Sequence, residues 1–344
     1  MRILFLGETY RADAQTWIKG IEGVSHVTLV SKEIKNSGGR VSRIFAAIRF
    51  LGQLAFDSES YDITLAERAT SYGFFSLLVK TRVRIVAQQG ITDAFPEEGF
   101  AGWYKRILQK SIYTRADLIH AWGYVMTYAM LETGAPPSKI LVKPKGLNLT
   151  KYRFPAEKPS GVLTAIVTRS LFPIYRHGEI LEAIAILKSQ GIHINCLMVG
   201  SGVLEESLKN RTKQLNLEDQ VTWLGRIDNS LLPEYLMRAQ IYLAVPETEG
   251  VSASLFEAMA CGCFPIVTDL NSNRAFINSG ENGMLVPVGR PDLLAESIEK
   301  FAIQTSEFQN GILSNRKFIE KNCDLKINMA DFFDRYQKLL NHKK

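Results

Sequence analysis

The sequence predicts an α/β fold made of two tandem, Rossmann-like, doubly wound domains, and three observations predict it. At 344 residues the chain is longer than one hydrophobic core usually supports, so two domains of about 150 to 180 residues are expected. Short β-branched runs alternate with stretches of helical period, which implies parallel strands covered on both faces. That rhythm stops at a charged, proline-containing linker, "KYRFPAEKPSG" (residues 151–161), and then starts again.

Taken in order, "RILFLGE" (2–8) is a short buried strand ended by glycine, and helical spacing follows through Trp17, Ile18 and Ile21. "HVTLVS", "YDITLAE" and "RVRIVAQQG" are further strands between helical segments. Beyond the linker, "VLTAIVTR", "INCLMVGSG", "VTWLG", "IYLAVPE" and "FPIVTD" make five more, each followed by a helix or turn. A last helical pattern runs from Met329 to Leu340. The expected domains are therefore 1–155 and 156–328, with a helix in 329–344 packing back on the first. Two such domains imply a cleft, and ligands of doubly wound sheets bind outside the carboxyl ends of the strands.

Composition narrows the function classes. Apolar residues make up 46% and charged residues 22%, an ordinary globular balance without low-complexity tracts or internal repeats. The apolar run at residues 3–6 is too short for a signal-peptide core and no later run nears 18 residues, so a cytoplasmic protein is expected. Cys196, Cys261, Cys263 and Cys323 have neither metal-ligand spacing nor a disulfide-like distribution; they read as reduced core thiols, with no zinc and no disulfide. Net charge is +6, and residues 1–150 carry 19 Lys and Arg against 13 Asp and Glu, while the remainder is balanced. The first half is thus expected to meet an acidic partner, either nucleic acid or an anionic membrane.

The chemistry concentrates in "VPETEGVSASLFEAMACGC" (245–263). Ser252 is a natural N-cap for a helix from Ala253 to about Cys261, and Gly262 ends it. A capped helix start aims backbone N–H groups and the positive end of the dipole at the strand ends, which suits a diphosphate. Glu257 shares its side of the helix with the small residues Ala253, Ser254 and Cys261, while Leu255, Phe256 and Met259 take core-facing positions. A carboxylate so placed can accept paired hydrogen bonds from the two hydroxyls of a ribose. Glu249, in the loop, would reach another part of the same ligand. The plainer reading is that both glutamates are merely solvated.

Residues 245–289 resemble the signature of the retaining glycosyltransferases of family 4, which have the two-domain GT-B fold with the active site in the interdomain cleft. The family pattern E-G-x-x-x-x-x-x-E-A-M-A-x-G, a strand, then N-G-x-L-V-P reads here "EGVSASLFEAMACGC", "FPIVTD" and "ENGMLVPVGRPDLLAESI". The resemblance covers roughly residues 110 to 300. "KILVKPKGLNLTKYRF" is similar to the family's domain-joining segment, keeping Pro144 and Gly146 but with Lys145 and Asn148 in place of Asn and Asp. "LMVGSGVLEESLK" is similar to its glycine turn, through Gly200 and Gly202.

The resemblance implies site residues. The family's Arg and Lys that hold the donor diphosphate correspond to Arg169 and, over a longer gap, to either Arg176 or His177. Glu249, Arg169 and Arg176 are the catalytic candidates; Glu257, Gly250, Val251, Ser252, Ala253, Gly200, Arg226 and Ile227 would surround the nucleotide, the base lying near "WLGRID". Gly7 and Gln89 fall on the acceptor side. Three departures bear on sugar and acceptor contacts: the first loop keeps Gly7 alone, Gln89 replaces a frequent His, and Ala275 replaces a frequent Glu. His120, in "ADLIHAWGY", reads as a packed histidine at a strand end rather than a base.

The resemblance thus implies a retaining, metal-independent hexosyltransferase. Its donor would be a nucleoside-diphosphate sugar, UDP first and GDP next, without a separate cofactor, and its acceptor a glycan or lipid-linked acceptor in bacterial surface polysaccharide or glycolipid synthesis. The charge growing on the leaving diphosphate would be stabilised by the helix start near Ser252 with Arg169 and Arg176. Residues 38–56 and 103–115 combine basic and apolar residues at helical spacing, which suits peripheral attachment to the inner, anionic face of a cell membrane. The competing readings are a nucleotide-sugar epimerase of the same fold, a glycoside hydrolase using the two glutamates, and a nucleic-acid-binding module. The basic half lacks any pattern of a DNA- or RNA-binding fold, so no nucleic-acid partner is expected.

Overall fold

A computed structural model describes residues 1–35, 39–88 and 99–343. The chain forms two units, Met1–Gly146 together with Asp324–Lys344, and Leu147–Cys323.

The first unit holds six parallel strands: β1 (Arg2–Leu6), β2 (Thr28–Lys32), β3 (Tyr61–Glu67), β4 (Thr81–Gln88), β5 (Leu118–Ala121) and β6 (Ile140–Val142), in the order β2-β1-β3-β4-β5-β6. Strand alternation splits its core in two. Ile3 and Phe5 of β1, with Ile63, Leu65, Val83 and Ile85, face Trp17 and Ile21 of the helix Ala12–Glu22 and Met329, Phe332 and Tyr336 of the helix Leu325–His342. Leu4 and Leu6 face the other way, onto Phe50 and Leu54 of the helix Arg40–Ala55 and onto Tyr72 and Phe75. The last helix begins at Asp324, whose side chain accepts from the Ile327 N–H at 3.0 Å.

The second unit repeats the plan with β7 (Leu163–Thr168), β8 (Ile194–Val199), β9 (Val221–Gly225), β10 (Ile241–Ala244), β11 (Phe264–Thr268) and β12 (Met284–Val286), in the order β12-β11-β10-β7-β8-β9. The central strands β10 and β11 are buried at every residue, as parallel strands covered on both faces must be. The predicted α/β class stands, and the strand end read at His120 belongs to β5, but two strands were not among those the sequence predicted. β6 and β12 have only three residues each, too few for an alternation to register, and both are edge strands.

His120 lies within β5, fully buried, its Nε2 2.6 Å from the Tyr336 hydroxyl and its ring 4.5 Å from that of Phe332. Burial pushes it down to about 3, so it is neutral and packed. The four cysteines are buried, and burial pushes Cys196, Cys261 and Cys323 up to about 12, which makes them unreactive thiols. Among the described residues no helix is long and apolar enough to cross a membrane.

Candidate active site

The ends of β7 and β10 are neighbours in the second sheet, and each delivers one half of a charged cluster. Arg169 follows β7 directly. Its Nη2 donates to Glu249 Oε1 and to the Ser252 hydroxyl, both in the loop and cap after β10. The side chains of Arg169 and Glu249 are only 13% and 12% exposed, so this is a buried ion pair. Burial alone would lower the guanidinium pKa, but the Glu249 carboxylate more than offsets it and the group is held further above its usual value. The guanidinium also lies 5.4 Å from the centre of the Tyr175 ring. Tyr242, fully buried on β10, is pushed up by burial and stays neutral.

Local structure explains why these residues meet. The Ser252 hydroxyl accepts from the Leu255 N–H at 3.2 Å, capping the helix Ala253–Ala260. The helix ends where Gly262, at φ +73°, donates to the Met259 carbonyl and Cys263 donates to the Ala258 carbonyl, the two bonds of a Schellman motif. The loop carrying Glu249 is tied down by Thr268 Oγ1 donating to the Pro246 carbonyl at 2.9 Å. It is tied to the Arg169 loop by the Glu247 N–H donating to the Ile174 carbonyl at 2.9 Å. Gly200, after β8, sits at φ +148° against the main chain of Arg169, where a methyl group would overlap the Arg169 carbonyl oxygen. Gly202 lies in the same way against Leu171.

The other sequence-predicted residues have contacts of their own. Arg176 has a left-handed backbone, φ 49° and ψ 40°, and its Nε donates to Glu179 Oε1, with Glu247 4.0 Å from Nη1. Glu257 accepts from the Tyr152 hydroxyl at 2.9 Å; burial and the adjacent carboxylate push Tyr152 well above its usual range. Gly250 and Val251 are buried in the loop and Ala253 opens the helix, whereas Arg226 is exposed and Ile227 half-buried past the end of β9. In the first unit Gly7 ends β1, where a Cβ would come within 2.7 Å of both the buried Glu67 carboxylate and the Phe5 ring. Gln89 lies outside the described residues.

Tyr152, Tyr175 and Glu179 are absent from the sequence-derived set. Tyr152 stands in a segment that reads as linker, and Glu179 in what reads as an ordinary acidic first helical turn. His177, one of two alternatives in the sequence, is almost entirely buried (1% exposed) at the first position of the helix His177–Ser189.

Residues 149–317 match the model of the family described as glycosyl transferases group 1. Residues 149–317 belong to the group 1 glycosyl transferase family. The group 1 match spans the whole Arg169, Glu249 and Glu257 neighbourhood. The chain is similar to the putative colanic acid biosynthesis glycosyltransferase WcaL of Escherichia coli, 26% identical over 227 residues that cover 63% of this chain and 56% of that one. It also resembles the N-acetylgalactosamine-N,N'-diacetylbacillosaminyl-diphospho-undecaprenol 4-alpha-N-acetylgalactosaminyltransferase of Campylobacter jejuni, 30% identical over 124 residues, 36% of this chain and 33% of that protein. The matches thus span about half the length of WcaL and a third of the Campylobacter protein. Among solved structures, Anabaena HepE in complex with UDP and glucose aligns with a TM-score of 0.79 at 15% identity, covering 98% of this chain and all of that one. Sucrose-phosphate synthase from Thermosynechococcus elongatus aligns at 0.81 and 15%, covering 99% of this chain and 100% of that one. These likenesses, with the two six-stranded parallel sheets, identify the fold of the chain that carries this group 1 segment as GT-B.

Proposed function

We propose that the chain is a retaining, metal-independent glycosyltransferase. It moves a hexose-type sugar from a nucleoside-diphosphate sugar, UDP-linked before GDP-linked, to a glycan or lipid-linked acceptor in bacterial surface polysaccharide or glycolipid synthesis. The observation that carries this reading is the buried Arg169 bridging Glu249 and the Ser252 cap at the start of the helix Ala253–Ala260. A fixed cation and a helix start together form a preorganised anion site, suited to a diphosphate whose negative charge grows as it leaves. The names of the relatives support the setting: WcaL is named for colanic acid biosynthesis, the Campylobacter protein's name includes a diphospho-undecaprenol, and HepE was solved with UDP and glucose.

In this reading Glu249 holds hydroxyls of the donor sugar, Glu257 holds the ribose, and Tyr152 keeps Glu257 in position. Gly200, Gly250, Val251, Ala253, Arg226 and Ile227 line the nucleotide. The bond from the sugar's anomeric carbon to the diphosphate breaks, and the diphosphate leaves with the electron pair. The acceptor oxygen bonds to the same face of that carbon and passes its proton to a donor phosphate oxygen. Because Arg169, Arg176 and the helix start supply the positive charge, the reaction should proceed unchanged in EDTA. The first unit is assigned to the acceptor, through the end of β1 at Gly7 and through Gln89. Its basic excess, with the exposed Ile44, Phe45 and Ile48 of the helix Arg40–Ala55 and the exposed Trp103, Tyr104 and Ile107 of the helix Gly99–Arg115, suits an anionic membrane surface. Failure to bind anionic liposomes at low salt would remove the membrane from the proposal.

A thermal-shift panel of UDP, GDP, ADP, CMP and NAD tests the central claim. At about a hundred times its dissociation constant, a ligand bound only by the folded state adds about 2.7 kcal/mol. One nucleoside diphosphate should raise the melting temperature and Arg169→Ala should abolish the rise. No shift with any of them would overturn the transferase reading, and conversion of the donor sugar without an acceptor would favour an epimerase instead.

A further inference from the structure

His177 is a buried titratable group that the proposed transfer does not use. It occupies the first position of a 13-residue helix, is 1% exposed, and has the Arg169 main chain against its ring without a hydrogen bond of good geometry at either Nδ1 or Nε2. An imidazole closed off from water with its hydrogen bonding incompletely met is costly, and sites retain such groups where a ligand completes them. The surroundings say which ligand. Arg169, at the end of β7, lies beside the ring, and the Tyr175 ring stands 6.3 Å away at 75°. Behind Arg169 are the neutral Tyr242 of β10 and the Glu249 carboxylate; on His177's own helix start Arg176 is engaged by Glu179, with Glu247 4.0 Å from it. Burial pushes the imidazole down to about 4; the Arg169 main chain opposes this and the Arg169 cation adds to it. His177 is therefore neutral at pH 7, at a helix start and beside the Arg169 cation.

We infer that His177 takes up a proton when the diphosphate of a nucleotide-sugar binds against Arg169, so that donor binding is proton-linked. The inference rests on reading this part of the second unit as the donor site. The incoming anion reverses the sign of the local field: it offsets Arg169, favours the imidazolium, and gives at least one ring N–H an acceptor. The direction follows from linkage. Binding raises the group's pKa, so between the free and bound values each binding event absorbs one proton and affinity falls about tenfold per unit rise in pH, levelling off above the bound value. The diphosphate of a nucleotide-sugar is a diester that stays fully ionised over the neutral range, so the slope belongs to the protein.

Titration calorimetry with UDP-glucose and GDP-mannose, at about pH 6 and about pH 8 in buffers of different ionisation enthalpy, reads the uptake directly. The expected result is uptake approaching one proton at the lower pH and weaker binding at the higher. His177→Lys should bind with little pH dependence and no uptake, and His177→Gln should bind weakly at both pH values. Binding by the wild type without uptake or pH dependence, or uptake that persists in His177→Gln, would overturn the inference while leaving the donor site standing. No binding of either nucleotide-sugar at any pH would take down the donor site and the inference together.

Discussion

Replacing Arg169 with alanine removes one partner of a buried ion pair and leaves the Glu249 carboxylate, 12% exposed, without its cation. Breaking a fully buried pair in this way costs about 3–5 kcal/mol. Both side chains keep roughly an eighth of their surface in water, so solvent screening argues for the lower end, about 3 kcal/mol. A domain of 150–250 residues loses about 2–4 °C per kcal/mol, which predicts a drop of about 6–12 °C in the transition of the Leu147–Cys323 unit. The stranded carboxylate is the reason for the loss, so removing it as well should return part of the stability. Arg169→Ala with Glu249→Ala should be more stable than the sum of the single changes implies, by about 1 kcal/mol or more. Differential scanning calorimetry of the two single variants and the double variant measures each quantity. A single-variant loss below about 1 kcal/mol, or strict additivity in the double, would mean that the pair behaves as a surface contact and that the site is not preorganised.

Four further outcomes are expected. Glu257→Gln should weaken UDP binding about tenfold or more, since hydrogen bonds to a charged group contribute about 1.5–3 kcal/mol; unchanged affinity by calorimetry would remove the ribose from Glu257. Tyr152→Phe should cost about 1 kcal/mol and weaken donor binding by less than Glu257→Gln does, because it takes away only the bond that orients the carboxylate. Gly200→Ala forces a methyl group into the Arg169 carbonyl at a backbone conformation that favours glycine; urea unfolding should show a loss above about 1 kcal/mol, with donor affinity falling alongside. His120 and His177 are held neutral, down to about 3 and about 4, so below pH 6.5 the unfolded chain binds their protons before the folded chain does. Stability should therefore fall between about pH 6.5 and pH 4, by up to about 1.4 kcal/mol per pH unit for each histidine, and His120→Asn should flatten the first unit's share.

The sequence made legible those parts of the fold whose residues repeat a period. β1, β3, β10 and β11 are apolar runs because both faces are covered, and the helix Leu325–His342 shows its Met329, Phe332, Phe333 and Tyr336 stripe plainly. β5 showed only as a strand end because its third residue, His120, is polar in sequence and apolar only in effect, once Tyr336 satisfies its Nε2. The Ser252 cap and the Gly262 stop were readable because capping chemistry is local. The Arg169 to Glu249 pair was not readable from spacing, since 80 residues separate its partners and only the adjacency of β7 and β10 brings them together. Nor was the engagement of Glu257 by Tyr152, 105 residues earlier. Burial of His177 was likewise invisible, because an Arg-His-Gly sequence after a proline turn gives every sign of a surface loop.

The chain leaves its first unit at Gly146 and re-enters it at Asp324. For a protein made from one end to the other, this sets an order of assembly. The residues of the second unit emerge as one unbroken stretch, whereas the first sheet must wait for the helix that covers Ile3, Phe5, Ile63 and Leu65. At synthesis rates of about 5–20 residues per second the delay is on the order of 10–35 s, with that face of the sheet covered only in part throughout. A ribosome that stalls shortly before Asp324 would hold a finished second unit tethered to an unfinished first one, and a chaperone that prolongs the half-made state would protect this chain's beginning rather than its middle.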